Sequence, residues 1–219
     1  MELNQLKLLL NEFGENVRFE YDLKKKNWFN IGGKTKIFYK ADNLNELIIF
    51  LKKLDNKEKI FILGAGSNTL MSDNLFNGVV IKLGKNFNNI SLLGEDIIIA
   101  GSSVLDKSLS EFAMKNSLSG FEFLSCIPGT IGGGIRMNAG CFGNEFKDIL
   151  LSVQVIDKTG NVKTILSKDI KFEYRNNNLP DDLIFLSASF KGIKGNSTKI
   201  NDEMNKLKIE KEKNQPTKI

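Results

Sequence analysis

Apolar residues recur along the chain at two spacings, and the alternation between them predicts the elements. Leu3, Leu6, Leu9 or Leu10 and Phe13 fall three to four apart, and Gly14 follows. That is one face of a short helix with a stop. Lys36–Lys40 reads as a strand after a Gly-Gly turn, and Asp42 is placed to cap a helix carrying Leu44, Leu47, Ile48, Leu51 and Leu54 on one face. Short apolar runs predict strands at Ile60–Leu63, Val79–Leu83, Ile97–Ala100, Val153–Asp157 and Leu183–Phe190. The Lys-Thr-Gly-Asn segment before Val162 reads as a hairpin connection. Leu105, Leu109, Phe112 and Ala113 predict a helix over Leu105–Lys115, and a second runs over Asn201–Lys213. Strands and helices do not alternate strictly, so the class is α+β and not a doubly wound parallel sheet.

Composition narrows the chemistry. The 219 residues include 31 Lys+Arg and 26 Asp+Glu, a net charge of +5, with no histidine and two cysteines. Without histidine there is no Ser-His or Cys-His nucleophile and no imidazole metal ligand, and no metal site is expected. Acid–base work falls to Glu, Asp, Lys, Tyr, Ser or Cys. Only Arg18, Arg136 and Arg175 are arginine, which marks each as a candidate bidentate anion binder. The lysines are dispersed, Lys24–Lys26 being the densest group, so a cationic cleft for an acidic small molecule fits better than a nucleic-acid face. No apolar run approaches the roughly 18 residues of a membrane span, and the start is no secretory signal. A cytoplasmic, monomeric protein with Cys126 and Cys141 as reduced thiols is expected.

Three motifs carry candidate chemistry. In the turn after Ile60–Leu63, Gly64, Ala65, Gly66, Ser67 and Asn68 offer a bendable backbone, a hydroxyl and an amide suited to a phosphate. Taken alone this could be a plain glycine turn. The dinucleotide fingerprint fails because its third glycine would fall at Thr69, and no Gly-Lys-Ser/Thr follows for a P-loop. More specific is Phe123–Glu145, with six glycines within the fifteen residues from Gly129 to Gly143. That density makes a poor helix or strand and lets main-chain amides press against a flat ring and a pyrophosphate. Pro128 sets the entry turn, Thr130 supplies a hydroxyl, and Arg136 and Asn138 are embedded polar groups. The third motif is Lys171–Pro180, where Arg175 follows Tyr174 and precedes an Asn-rich loop, at the end of an element and able to reach a cleft.

Together, NWFNIGGKTKIFYKA, ILGAGSNTLMSD, GFEFLSCIPGTIGGGIRMNAGCFGNE and FEYRNNN resemble, in order and spacing, the UDP-N-acetylenolpyruvoylglucosamine reductase family over about residues 20 to 219. The resemblance implies a fold of the p-cresol methylhydroxylase kind, with two α+β subdomains clasping non-covalent FAD: residues 1–85, residues 86–195, and a helix over 196–219 leading toward a substrate domain. By motif, Gly64–Asn68 would take the pyrophosphate. Asn30, Ile31, Gly32 and Gly33 would line the cofactor. Ile127, Pro128, Gly129, Thr130, Gly132, Gly133, Arg136, Asn138 and Gly140 would run along the flavin and its phosphates. Arg175 matches the catalytic arginine that supports the substrate carboxylate as an enolate forms.

The implied activity is NADPH-dependent reduction of the enolpyruvyl group of a UDP-sugar to give UDP-N-acetylmuramate, a step of peptidoglycan synthesis. One departure stands out. The family's proton-donating serine, in a Gly-Ser-x-Phe-Lys-Asn-Pro segment, and its C-terminal glutamate do not occur in these 219 residues. The chain is therefore expected to be a C-terminally truncated form holding the FAD module. The competing expectations are an FAD-dependent oxidase of the same broader fold and a non-catalytic FAD-binding remnant.

Overall fold

A computed structural model describes residues 3–55 and 57–215, with side chains from residue 8 onward. The expected helical positions Leu3 and Leu6 lie outside the described side chains, and residues 216–219 lie outside the described residues.

Helix α1 (Leu3–Phe13) ends at Gly14, whose φ of +51° is the left-handed stop the sequence suggests. Strands β1 (Val17–Asp22), β2 (Lys34–Ala41), β3 (Ile60–Ile62) and β4 (Phe76–Leu83) form a mixed sheet in the order β1-β2-β4-β3. The pairing of β1 with β2 is antiparallel, whereas β4 runs parallel to both β2 and β3. The central strands β2 and β4 carry near-continuous apolar runs because both faces are covered. Helix α2 (Leu44–Lys53) makes the crossover from β2 to β3 and buries Leu47, Phe50 and Leu51, with Phe50 stacked on Tyr39 at 3.8 Å. Its N-cap is Asn43, not Asp42. The Asn43 side chain accepts from the Glu46 N–H at 2.9 Å, while Asp42 pairs with Lys40 at 2.9 Å. Between β3 and β4 there is no helix, only the loop over residues 63–75 that carries the first glycine turn.

The second sheet contains β5 (Ile90–Leu93), β6 (Ile97–Gly101), β10 (Leu150–Ile156), β11 (Val162–Leu166) and β12 (Ile184–Lys191); between β6 and β10 the chain forms α3 (Asp106–Lys115), a short β7 (Leu118–Ser119), α4 (Ile131–Arg136), the small hairpin of β8 (Gly140–Cys141) with β9 (Asn144–Glu145), and α5 (Phe146–Ile149). Its order is β11-β10-β12-β6-β5, antiparallel throughout. The expected hairpin joins β10 to β11, its turn held by Asp157 Oδ1 accepting from the Thr159 and Asn161 N–H groups at 2.9 and 3.0 Å. Strand β13 (Ile193–Lys194) pairs with β7 and leads into α6 (Ser197–Asn214), capped by Asn196, which lengthens the expected helix at its start.

The two sheets share a core. Ile156, Ile184 and Leu186 from the second sheet join Ile37 and Ile81 of the first and Leu47 and Phe50 of α2. A second cluster around Phe123, Phe146 and Phe190 binds α3, α4 and α5 to the other face of the large sheet. One local expectation is overturned here: the glycine triplet is helical. A Cβ on Gly134 would collide with the Phe146 ring, so in α4 glycine serves close packing, and this contact outweighs its poor helix propensity.

Candidate functional site

The turns gather where the two sheets meet. Beyond β3, Gly66 takes φ +70°, and its carbonyl accepts from the Trp28 N–H at 3.0 Å. A side chain at Gly66 would strike the Lys26 carbonyl, so only glycine lets this turn lie against the 26–28 segment. That segment is organised by Asn27, 4% exposed, whose amide donates to the carbonyls of Leu23, Lys24 and Ile31 at 3.2, 3.4 and 2.8 Å. Asn30 follows at φ +53°, and the Gly33 N–H donates to the Ser72 carbonyl at 2.8 Å. Residues 27–33 and 64–73 therefore form one laced double turn, with Trp28, Phe29 and Ile31 exposed along it.

The Phe123–Glu145 motif reaches this turn through Thr130. A Cβ on Gly64 would stand 2.6 Å from Thr130 Oγ1, so a glycine at 64 is what allows the two segments to touch. Backbone bonds fix Thr130 and its neighbours from behind: the Ile131 N–H donates to the Val104 carbonyl and the Gly132 N–H to the Ser102 carbonyl, both at 2.9 Å. Leu105 and Thr130 form an isolated antiparallel bridge, and the Asp106 N–H donates to the Gly129 carbonyl at 3.2 Å. The structure thus brings Asn30–Gly33, Gly64–Asn68 and the Gly129–Gly133 stretch to one edge between the sheets.

Arg136 and Asn138 are engaged differently from the expectation. The Arg136 guanidinium donates to the carbonyls of Leu179, Pro180 and Leu183 at 3.1, 3.1 and 2.7 Å and covers the Phe185 ring at 4.8 Å. Asn138, 1% exposed, donates to Glu145 Oε2 at 2.9 Å and the Glu173 carbonyl at 3.1 Å, and accepts from the Lys147 N–H at 3.1 Å. Each side chain is a clasp that ties the glycine-rich segment to the loops around 145 and 173–183. Spacing alone cannot distinguish such a clasp from a ligand contact, because both need an embedded polar group.

These clasps position Arg175. A tight turn pairs Glu173 with Asn176, and Arg175 within it takes φ +58°. Its guanidinium lies 5.5 Å from the Tyr174 ring, is solvent-exposed, and has no ion pair among the described residues. With Asn138, Gly140, Cys141 and Glu145 it lines an open pocket that the 64–68 turn does not enter. Glu145 in that pocket titrates below the usual carboxylate range, first because it accepts from Lys147 and also because Asn138 and Arg175 stabilise its charge. Burial pushes the Cys141 thiol up, with Cys126 beside it acting in the same sense.

Two residues outside the sequence motifs belong to this region. Lys82, the one charge in the Val79–Leu83 run, is half-buried. Its ammonium donates to the Gly64 carbonyl at 3.4 Å, and burial followed by the nearby Lys26 charge lowers its pKa. A charge inside a buried strand is a legible signal. Asp106 lies under Gly129 and reads in sequence only as a first-turn helix acid, so nothing in the pattern announces its burial.

The architecture is an FAD-binding fold of the p-cresol methylhydroxylase type, and residues 35–166 match the family described as FAD binding domain. A variant of Phl p 4, a glucose oxidase, shares the fold, with a TM-score of 0.62 at 12% identity over 87% of this chain and 44% of that one. The crystal structure of UDP-N-acetylenolpyruvylglucosamine reductase from Thermus caldophilus superposes with a TM-score of 0.81 at 28% identity, covering 92% of this chain and 72% of that one. UDP-N-acetylenolpyruvoylglucosamine reductase of Pelagibacter ubique (strain HTCC1062) is 61% identical over all 219 residues, which span 72% of its length. The chain belongs to the UDP-N-acetylenolpyruvoylglucosamine reductase family. No helix among the described residues is long and apolar enough to cross a membrane.

Proposed function

We propose that this chain binds FAD non-covalently between its two sheets, subdomains dividing near residue 85, and serves the NADPH-dependent reduction of UDP-N-acetylglucosamine enolpyruvate to UDP-N-acetylmuramate in peptidoglycan synthesis. The observation that carries the reading is the meeting of the Gly64–Asn68 turn with Thr130, at glycines whose Cβ atoms would close the gap. The donor set suits the cofactor. Gly64–Asn68 would hold the pyrophosphate, with Lys82 beneath the turn offsetting its charge, and Ile127–Gly133 and Asn30–Gly33 would flank the rings. FAD, when bound, supplies the hydride chemistry.

The chain's own contribution to the reduction is electrostatic and positional. Arg175 presents an unpaired cation at the mouth of its pocket, where it would take the substrate carboxylate and face negative charge as it develops in the enolpyruvyl group. The left-handed turn and the Arg136 and Asn138 clasps hold the backbone that carries Arg175, so only its side chain would have to order on the substrate. The net charge of +5 favours the approach of an acidic UDP-sugar.

The reading is tested on the purified chain with added FAD. Retained yellow flavin that bleaches anaerobically on adding NADPH is the expected result, and it requires no substrate proton donor. Failure to retain flavin after reconstitution refutes the cofactor assignment, and flavin that NADPH never bleaches refutes the reductase assignment.

A further inference from the structure

Behind the flavin turn lies a carboxyl that the proposed reaction does not use. Asp106 is 0% exposed, and among the described residues neither Oδ1 nor Oδ2 has a hydrogen-bond partner. Ser110, one helical turn further along α3 and 1% exposed, and Ser102, beside Gly132, are likewise buried without partners for their hydroxyls. A buried polar group normally finds a partner, so a carboxyl left without one directly behind Gly129 marks a place where something other than stability sets the residue type.

Asp106 and the turn cannot move independently. Its Oδ2 sits 2.6 Å from where a Gly129 Cβ would be, its N–H donates to the Gly129 carbonyl at 3.2 Å, and the residue before it bridges Thr130. Among the described residues no charge compensates it. On α3 itself Lys107 pairs with Glu111 at 3.7 Å, Glu122 of the adjoining 3-10 turn accepts from Ser119 and the Gly120 N–H, and Lys211 of α6 donates to the Cys126 carbonyl. Burial alone acts on the Asp106 carboxyl, pushing its pKa up to about 8.

We propose that Asp106 is a positioning residue for the cofactor: as an uncharged acid it fills the space behind Gly129 and sets the Pro128–Thr130 backbone against which the flavin lies. When the proton leaves, the carboxylate must draw in water. Gly129 is the backbone packed on its Oδ2, so relief of the buried charge shifts the turn and FAD is held less tightly. The inference rests on the FAD reading above and adds a proton to it: binding FAD in alkaline solution takes up a proton at Asp106.

The test titrates the full chain with FAD, reading affinity by quenching of flavin fluorescence from about pH 6.5 to about pH 9.5. A one-proton equilibrium changes by at most tenfold per pH unit, so wild-type affinity is expected to fall about tenfold across the upper end of that range. Asp106→Asn has nearly the same shape and cannot ionise. It is expected to bind FAD at about pH 6.5 within threefold of wild type and to show a flatter profile. Lys82 is present in both proteins, so loss of its charge contributes equally, and the difference between the two curves belongs to Asp106. Superimposable pH profiles overturn the proposal.

If Asp106→Asn does not fold, calorimetry of FAD binding to Lys82→Met in buffers of different ionisation enthalpy decides, because that variant has no Lys82 ammonium to take up a proton beside the pyrophosphate. Proton uptake near pH 8.5 and none near pH 6.5 supports it, and equal uptake at both, or none at either, overturns it. FAD bound equally at every pH defeats this inference alone, whereas no FAD binding at any pH defeats the cofactor reading and this one with it.

Discussion

The contact between Gly64 and Thr130 joins the two halves of the cradle, and replacing the glycine tests it directly. In Gly64→Ala the new Cβ would lie 2.6 Å from Thr130 Oγ1, against 3.8 Å from Thr130 Cβ and 3.9 Å from its Cγ2. The clash therefore belongs to one atom. Gly64 does not need the left-handed region, so alanine brings no backbone strain of its own. Thr130 is only 8% exposed and its neighbours are pinned to Val104 and Ser102, which leaves rotation or displacement of the threonine as the relief. Overpacking of this kind costs about 2 kcal/mol. Removing the hydroxyl in Thr130→Ala abolishes the clash, so in that background Gly64→Ala should cost under about 0.5 kcal/mol, a coupling of about 1.5 kcal/mol. Urea unfolding of wild type, both single variants and the double variant measures the cycle, and the single Gly64→Ala protein should melt about 5 °C lower. An equal cost of Gly64→Ala with and without Thr130 would show that the two turns do not touch, and the cradle would have to be redrawn.

Other outcomes follow from the same contacts. Arg175→Ala should leave flavin binding unchanged and slow any enolpyruvyl reduction more than about 100-fold, near 3 kcal/mol, as loss of a charge-stabilising donor does; equal single-turnover rates would remove Arg175 from the mechanism. Asn138→Ala strips three hydrogen bonds at about 1 kcal/mol each, so unfolding stability should drop by about 3 kcal/mol, and a loss below about 0.5 kcal/mol would show that the clasp is dispensable. Lys82→Met should weaken FAD about tenfold while leaving riboflavin, which lacks the pyrophosphate, unaffected; equal losses for both ligands would place Lys82 elsewhere. Because folded Asp106 keeps its proton up to about pH 8 and an unfolded one loses it near 3.8, the native state holds the extra proton between those values. Stability should therefore fall as pH rises through that window, by at most about 1.4 kcal/mol per unit, and Asp106→Asn should remove this slope.

Much of the fold was legible because its signals are local. The apolar period of α2 and α3, the stop at Gly14 and the Asp157 hairpin turn each depend on residues a few positions apart. The order and spacing of the glycine motifs carried the resemblance to an FAD-binding family before any contact was known, and the absence of histidine narrowed the acid–base chemistry. The cap at Asn43 in place of Asp42 shows the limit of local reading, since two adjacent residues of equal capping power differ only in which side chain reaches the Glu46 N–H.

What the tertiary structure decided lies between segments distant in sequence. Glycines at 132–134 argue against a helix, yet α4 forms there because Gly134 must admit the Phe146 ring. Arg136 and Asn138 carry the charge and amide of ligand residues, but the loops that fold over them take their hydrogen bonds first. Asp106 looks like an ordinary helix-start acid until Gly129 closes over it and leaves its carboxyl dry. Motif and composition determine which groups the chain can offer; burial and competition for hydrogen bonds, which exist only once the two sheets meet, determine which of those groups remain free to act.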